Sequence, residues 1–290
     1  MNYDLFCRLW LSIAFGPANR RINQLLDTYH SPQSIFQSFS SGDRLSLSSV
    51  ELRALENVTQ AQIHHLIDSC KQNGIAIYTP DDEEYPNKLY YIDNPPNLLF
   101  SYGDLGSVRL NPSIALIGAR DADDYALTSA YKIAYELALR GITVISGFAR
   151  GVDSVAHNAT LSANGQTVAV LGSGIMYDYP RNSMYLKKQI GQNGAVLSEY
   201  YPPARPAREN FKVRNRIVSG LADGIVVIQA GQSSGTLNTV NHALSQGRDI
   251  FVLPPHDIFD DSYKGNIGLL RDGAIPVYSA NDIINHLAGL

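Results

Sequence analysis

The residues of this chain whose types and spacing could do chemistry are glycines and cations set just beyond apolar runs. Gly118-Ala119-Arg120 closes one run, and Ser146-Gly147-Phe148-Ala149-Arg150-Gly151 closes the next. Gly172-Ser173-Gly174 follows a third and leads to Arg181 in YPRNS; Gly231-Gln232-Ser233-Ser234-Gly235-Thr236 follows another. Glycine allows close backbone approach, while exposed N–H groups and the positive end of a helix favour an anion. A guanidinium fork matches phosphate oxygens two at a time. A single loop of this kind is ordinary turn chemistry, and a lone arginine is ordinary surface charge. Four such loops at strand ends, with Arg120, Arg150 and Arg181 beside them, predict a phosphate-facing rim. FKVRNRIVSG adds Lys212, Arg214 and Arg216 around Asn215, at the next helix start on the same edge.

Charge placement agrees with that reading. The formal net charge is −4, yet residues 201–220 hold five bases and one acid. Residues 1–100 carry 11 acids against 7 bases, which is the whole imbalance. A mildly acidic total does not exclude a polyanion, because binding depends on where the cations sit.

Other chemistries find little support. GARDADDY is not GxGxxG, no acid closes the second strand to hold a ribose, and no GxxxxGK[ST] is present. His157 and His242 fall inside helical patterns, where a packed or capping role is the commoner one. Glu199 ends a strand, but no nucleophile adjoins it. Cys7 and Cys70 belong to no CxxC or metal-ligand cluster and read as packed thiols. No catalytic residue, metal or cofactor is predicted. No apolar run approaches the roughly 20 residues of a membrane span, and the start MNYDLFCRLW lacks a signal-peptide pattern, so no membrane association and a cytoplasmic location are expected.

The elements that must position the rim follow from periodicity. Residues 1–75 read as a small helical domain, with FCRLWLSIAF, NRRINQLLDTYH and VTQAQIHHLIDSC spacing apolar residues three and four apart. Residues 76–112 read as a connecting flap of short strand-like pieces between proline-rich turns. From residue 113 to 290 apolar runs alternate with amphipathic helices. The runs are 113–119, 142–147, 166–172, 195–199, 224–230 and 249–254, and 123–140 is a helix; 277–290 adds a short strand and a closing helix. This alternation specifies an α/β class, a Rossmann-like parallel sheet covered on both faces, whose ligands bind beyond the carboxyl ends of the strands.

SGFARGVDSVAH, LGSGIMYDYP, LSEYYP, FKVRNRIVSGLADGIVVIQA, SSGTLNTVNHAL and GRDIFVLP, in this order, closely resemble the DprA/Smf family of DNA-processing proteins, over about residues 75–275. The resemblance implies an extended Rossmann-like domain, preceded by a small helical (SAM/HhH-like) domain, that binds single-stranded DNA without sequence preference. It also implies protection of incoming strands during natural transformation, loading of RecA recombinase, and a homodimer formed through the Rossmann-like domain. Carried over by motif, the binding residues are Arg120, Arg181, Arg208, Arg214, Asn215 and Arg216. Departures from the family pattern are Ala119 for Ser, Lys212 for Pro, Gln229 for Glu, Pro255 for Gly, and Ser183 with Asn182 one place early. No GxG hairpin motif is visible in the first 75 residues, and no winged helix is expected at the end.

Two functions of different class result. One is non-catalytic capture of single-stranded DNA, with Phe148, Tyr177 or Phe211 stacking a base. The other is a nucleotide hydrolase resembling the cytokinin-activating phosphoribohydrolases. Their PGGxGTxxE ends in a carboxylate, where AGQSSGTLNT has Asn238 and Thr239, which argues against hydrolysis.

Overall fold

The computed structural model describes residues 2–288, without the side chains of Ser107 and Arg109. Five helices come first: α1 (Tyr3–Phe15), α2 (Arg20–Tyr29), α3 (Pro32–Ser40), α4 (Ser49–Glu56) and α5 (Gln60–Gln72). Each begins at a side-chain cap, from Asn2, Asn19, Ser31, Ser48 and Thr59 in turn. The caps of α4 and α5 are capping boxes closed by Glu51 and Gln62. Their core gathers Leu9, Trp10, Leu11, Ile35, Leu55 and Ile63.

The strands are β1 (Ile75–Tyr78), β2 (Leu99–Gly103), β3 (Ser113–Ile117), β4 (Thr143–Ser146), β5 (Thr167–Leu171), β6 (Gly194–Ser198), β7 (Gly224–Val227), β8 (Asp249–Val252) and β9 (Ile275–Pro276). Between them lie α6 (Gly106–Leu110), α7 (Asp124–Leu139), α8 (Val152–Ser162), α9 (Met184–Gln192), α10 (Arg208–Leu221), α11 (Thr236–Ser245) and α12 (Lys264–Arg271), and α13 (Ala280–Ala288) follows β9. One nine-stranded sheet runs β1-β2-β6-β5-β4-β3-β7-β8-β9. The pairs β1/β2 and β2/β6 are antiparallel and the remainder parallel. The sheet is the Rossmann-like one expected, extended at one edge by β1 and β2, which come from residues read as a flap.

Two-residue alternation divides the core between the faces. Ala115 and Ile117 of β3 and Ile225 and Val227 of β7 join Ile217, Val218, Leu221 and Val240 of α10 and α11. Ile114 and Leu116 join Ala130, Ile133 and Leu137 of α7 with Ala156 of α8. A fully buried Val, Leu or Ile contributes about 1.5–3 kcal/mol, so these faces hold the sheet. Among the described residues no helix is long and apolar enough to cross a membrane. Strand order reverses at β3, with β4–β6 on one side and β7–β9 on the other, which opens a crevice at the carboxyl edge.

Candidate nucleic-acid interface

At that reversal lies a cleft of about 910 Å³, lined from the loop after β3 by Gly118, Ala119, Arg120 and Asp121 and from the loop after β4 by Gly147 and Ala149. The opposite wall is α10. Arg208, Phe211, Lys212 and Asn215 all line the cleft, and their spacing of i, i+3, i+4 and i+7 forms one helical stripe. Ser233, Ser234, Gly235 and Thr236 close the end. Helices α10 and α11 both start in the lining, α10 at Ala207 with no side-chain cap and α11 at Gly235, where Ser234 Oγ accepts the Thr236 N–H at 3.2 Å. The α10 start aims backbone N–H groups and its dipole into the hollow, whereas at α11 the Thr236, Leu237 and Asn238 N–H groups are taken up within the chain and only the dipole adds to the field.

Phe211 is the hub. The Arg120 guanidinium carbon lies 5.7 Å from its ring centre and that of Arg214 6.0 Å. Tyr179 stands 5.5 Å away, tilted by 39°. Arg214 is buried beneath, donating to the carbonyls of Gly147, at 2.5 Å, and Val170. Burial pushes its guanidinium down to about 10, opposed by Asp153, so it stays charged at neutral pH. It ties the loop after β4 to strand β5 and sets a fixed positive charge in the floor. Asp153 accepts from the Ala149 N–H at 3.1 Å; burial pushes its carboxyl up, against that hydrogen bond and Arg214. A Cβ on Gly147 would stand 2.7 Å from Arg214 Nη2, so only glycine fits there. Gly151, at φ +75°, starts α8 where a Cβ would meet the Ala119 carbonyl at 2.3 Å.

A second hollow of about 320 Å³ shares Arg120, Gly147, Ala149, Tyr179 and Phe211 with the cleft and continues to Arg150, Pro180 and Arg181. Arg120, Arg150, Arg181 and Arg208 are exposed and pair with no carboxylate among the described residues. Lys212 meets Glu209 at 3.2 Å in an exposed pair, which holds it weakly.

Other residues expected on the rim are placed elsewhere. Arg216 departs furthest: residues two apart on a helix lie about 200° around it, so Arg214 and Arg216 cannot share a face. Arg216 forms a bidentate pair with Glu199 at 2.8 and 2.9 Å, both buried, and donates to the Asn94 carbonyl. Glu199 is thereby committed to an ion pair. Ser146 turns its hydroxyl into the sheet, to the Leu116 carbonyl at 2.6 Å. Ser173 is buried and its carbonyl receives Ser198 Oγ. Gly172 packs against the Phe211 ring, and Gly174 against the Tyr201–Pro202 backbone. Phe148 borders the smaller hollow but is largely buried beside His157, and Tyr177 lines neither hollow. Cys7 and Cys70 are free and buried, and burial pushes each thiol up to about 11. Burial also lowers His242.

The departures find local answers. Gln229 donates to Asp123 Oδ2 and to Ser262 Oγ, both at 2.8 Å, and accepts from the Asp123 N–H. Asn182 and Ser183 both donate their N–H to Asp178 at 2.9 Å. Thr239, where a hydrolase would carry its carboxylate, is buried in the cleft lining, and Asn238 beside it accepts from Asn215 at 3.2 Å. Sequence reasoning missed Tyr179, Asp121 and Asp153 in the lining; the aromatic before Pro180 was the available signal for the first.

The model of the family described as DNA recombination-mediator protein A matches residues 76–288. The chain belongs to that family. It is 31% identical over 280 residues to DNA processing protein DprA of Bacillus subtilis (strain 168), across 92% of this chain and 93% of that one. The crystal structure of DNA processing protein A from Streptococcus pneumoniae superposes with a TM-score of 0.84 at 29% identity, covering 98% of this chain and 97% of that chain. The DNA processing protein A from Helicobacter pylori, described for its unique single-stranded DNA binding mode, gives 0.66 at 29% identity, covering 73% of this chain and 96% of that chain. Family membership thus spans the sheet and both walls of the cleft.

Proposed function

We propose that the protein binds single-stranded DNA along the two joined hollows, without catalysis. The observation that carries the reading is the convergence of Arg120, Arg150, Arg181, Arg208 and Lys212, from four separate segments, around two hollows that share Phe211 and Tyr179 in their walls. Cations and the α10 start take the phosphates, and the two rings give an unpaired base an apolar surface. Arg214 acts from below, by holding Gly147 in place. The printed description of the Helicobacter pylori relative supports the same ligand. Handing the bound strand to RecA recombinase, in natural transformation or other recombination, and pairing of two copies through the Rossmann-like domain belong to the same reading; the family's description as a recombination mediator supports the first.

With about four phosphates neutralised, log K falls against log salt with a slope of about −3, at about −0.7 per contact. Arg120→Ala and Arg208→Ala each flatten that slope by about 0.7, measured by fluorescence anisotropy of a labelled oligothymidylate. Binding indifferent to salt and to both substitutions refutes the reading.

A further inference from the structure

We propose that the strand leaves the cleft past Arg181 and continues over the start of α9, where Tyr185 offers a stacking surface for an unpaired base and Lys188 a phosphate contact. The inference rests on the single-strand reading above and lengthens its track beyond the hollows.

The smaller hollow ends at Pro180 and Arg181, and from there the chain turns directly into α9. That turn is rigid. Asp178 accepts the N–H groups of Asn182 and Ser183 at 2.9 Å and the Ser183 hydroxyl at 3.2 Å. Lys187 anchors the helix from within: buried, it donates to the carbonyls of Ile175 at 3.2 Å and Tyr177 at 2.5 Å, and lies 5.8 Å from the Phe148 ring. Tyr185, two residues away, is about 200° around the helix and is therefore held outward, 73% exposed. Lys188 is exposed and one turn further along the same side. The ring is thus presented by a fixed element, so little ordering is lost when a base stacks on it.

Charge selects the occupant. From Arg150 to Asn193 the carboxylates are Asp153 and Asp178 alone, against Arg150, Arg181, Lys187 and Lys188. Asp153 is buried in the cleft floor, and Asp178 is taken up by the turn amides. Neither Arg181 nor Lys188 pairs with a carboxylate among the described residues. An exposed aromatic between unpaired cations, continuous with the cleft, fits a single strand better than a duplex, whose bases are already stacked.

The test is anisotropy with oligothymidylates of about four and about sixteen nucleotides, spanning the usual site sizes, on the wild type, Tyr185→Ala, Tyr185→Phe, Lys188→Ala and Arg208→Ala. Tyr185→Ala should weaken the long strand about tenfold and leave the short one unchanged, with Tyr185→Phe close to wild type. Lys188→Ala should flatten the salt slope by about 0.7 for the long strand alone. Replacing one thymine by 5-iodouracil should yield a photo-crosslinked Tyr185 peptide from the long strand only. If Tyr185→Ala and Lys188→Ala bind the long strand like the wild type while Arg208→Ala is impaired at both lengths, the exit path is wrong and the cleft reading survives. If the wild type binds neither length, both fall together.

Discussion

His157 shows how a residue that attracts attention in the sequence is spent on structure. Its Nδ1 meets Thr167 Oγ1 at 2.7 Å, and that hydroxyl donates its only proton to the Val144 carbonyl. Nδ1 must therefore be the donor, which leaves Nε2 bare and buried, so the ring is neutral. Burial, with a smaller push from Arg214, lowers the imidazole to about 3. Below the ordinary value of about 6.5 the unfolded chain takes up a proton that the folded one refuses, so stability falls as pH falls. The loss is about 1.4 kcal/mol per pH unit between the two values. Urea midpoints at a series of pH values should show this slope in the wild type and its removal in His157→Gln, the difference cancelling the carboxylate background. Arg216 teaches the same lesson: a basic block in the sequence is not a basic patch, because alternate positions of a helix face apart.

At the scale of elements, the cleft depends on how strand ends meet helix starts. Asp123 caps α7 through the Ala126 N–H at 2.8 Å, and also receives Gln229 from the end of β7 and the Tyr263 hydroxyl at 3.1 Å. Gln229→Glu would set two carboxyls against each other at that distance. One must stay protonated, so its raised value stabilises only at low pH and the contribution is lost as pH rises through it. The expected cost at neutral pH is about 1–3 kcal/mol, shrinking on acidification, as thermal midpoints at acid and neutral pH would show. A glutamine here explains how the chain departs from its family pattern without distorting the edge. The helices α3 and α4 escaped the periodicity reading because each is short; their markers, Ser31-Pro32 and the Ser48–Glu51 capping box, were nonetheless present.

Across the whole molecule, the helical segment and the sheet are joined by polar contacts as well as apolar ones. Arg8 donates to Asp4 at 2.7 Å, to Asn97 at 2.7 Å and to Asp81 at 2.6 Å. Tyr201 reaches Ser12 at 3.1 Å, and Asn23 reaches Asn94 at 2.7 Å. Arg8→Met strips the buried Asp4 of its counter-charge, an expected loss of about 3–5 kcal/mol. If helices and sheet unfold as one unit, the urea midpoint drops with no change in m.

The sequence by itself determined the six parallel strands, the helices between them and the glycine-edged carboxyl rim, because these follow from periods of 2 and 3.6 within short windows. It also marked Arg120, Arg150 and Arg181 as cations beside that rim, and the family resemblance added Arg208. Only the tertiary structure decided that β2 pairs with β6, about a hundred residues away, and that Arg216 turns to Glu199 while Arg214 holds the floor. Such choices rest on contacts distant in the chain and on which way a side chain points once its helix is docked, and no local pattern encodes either.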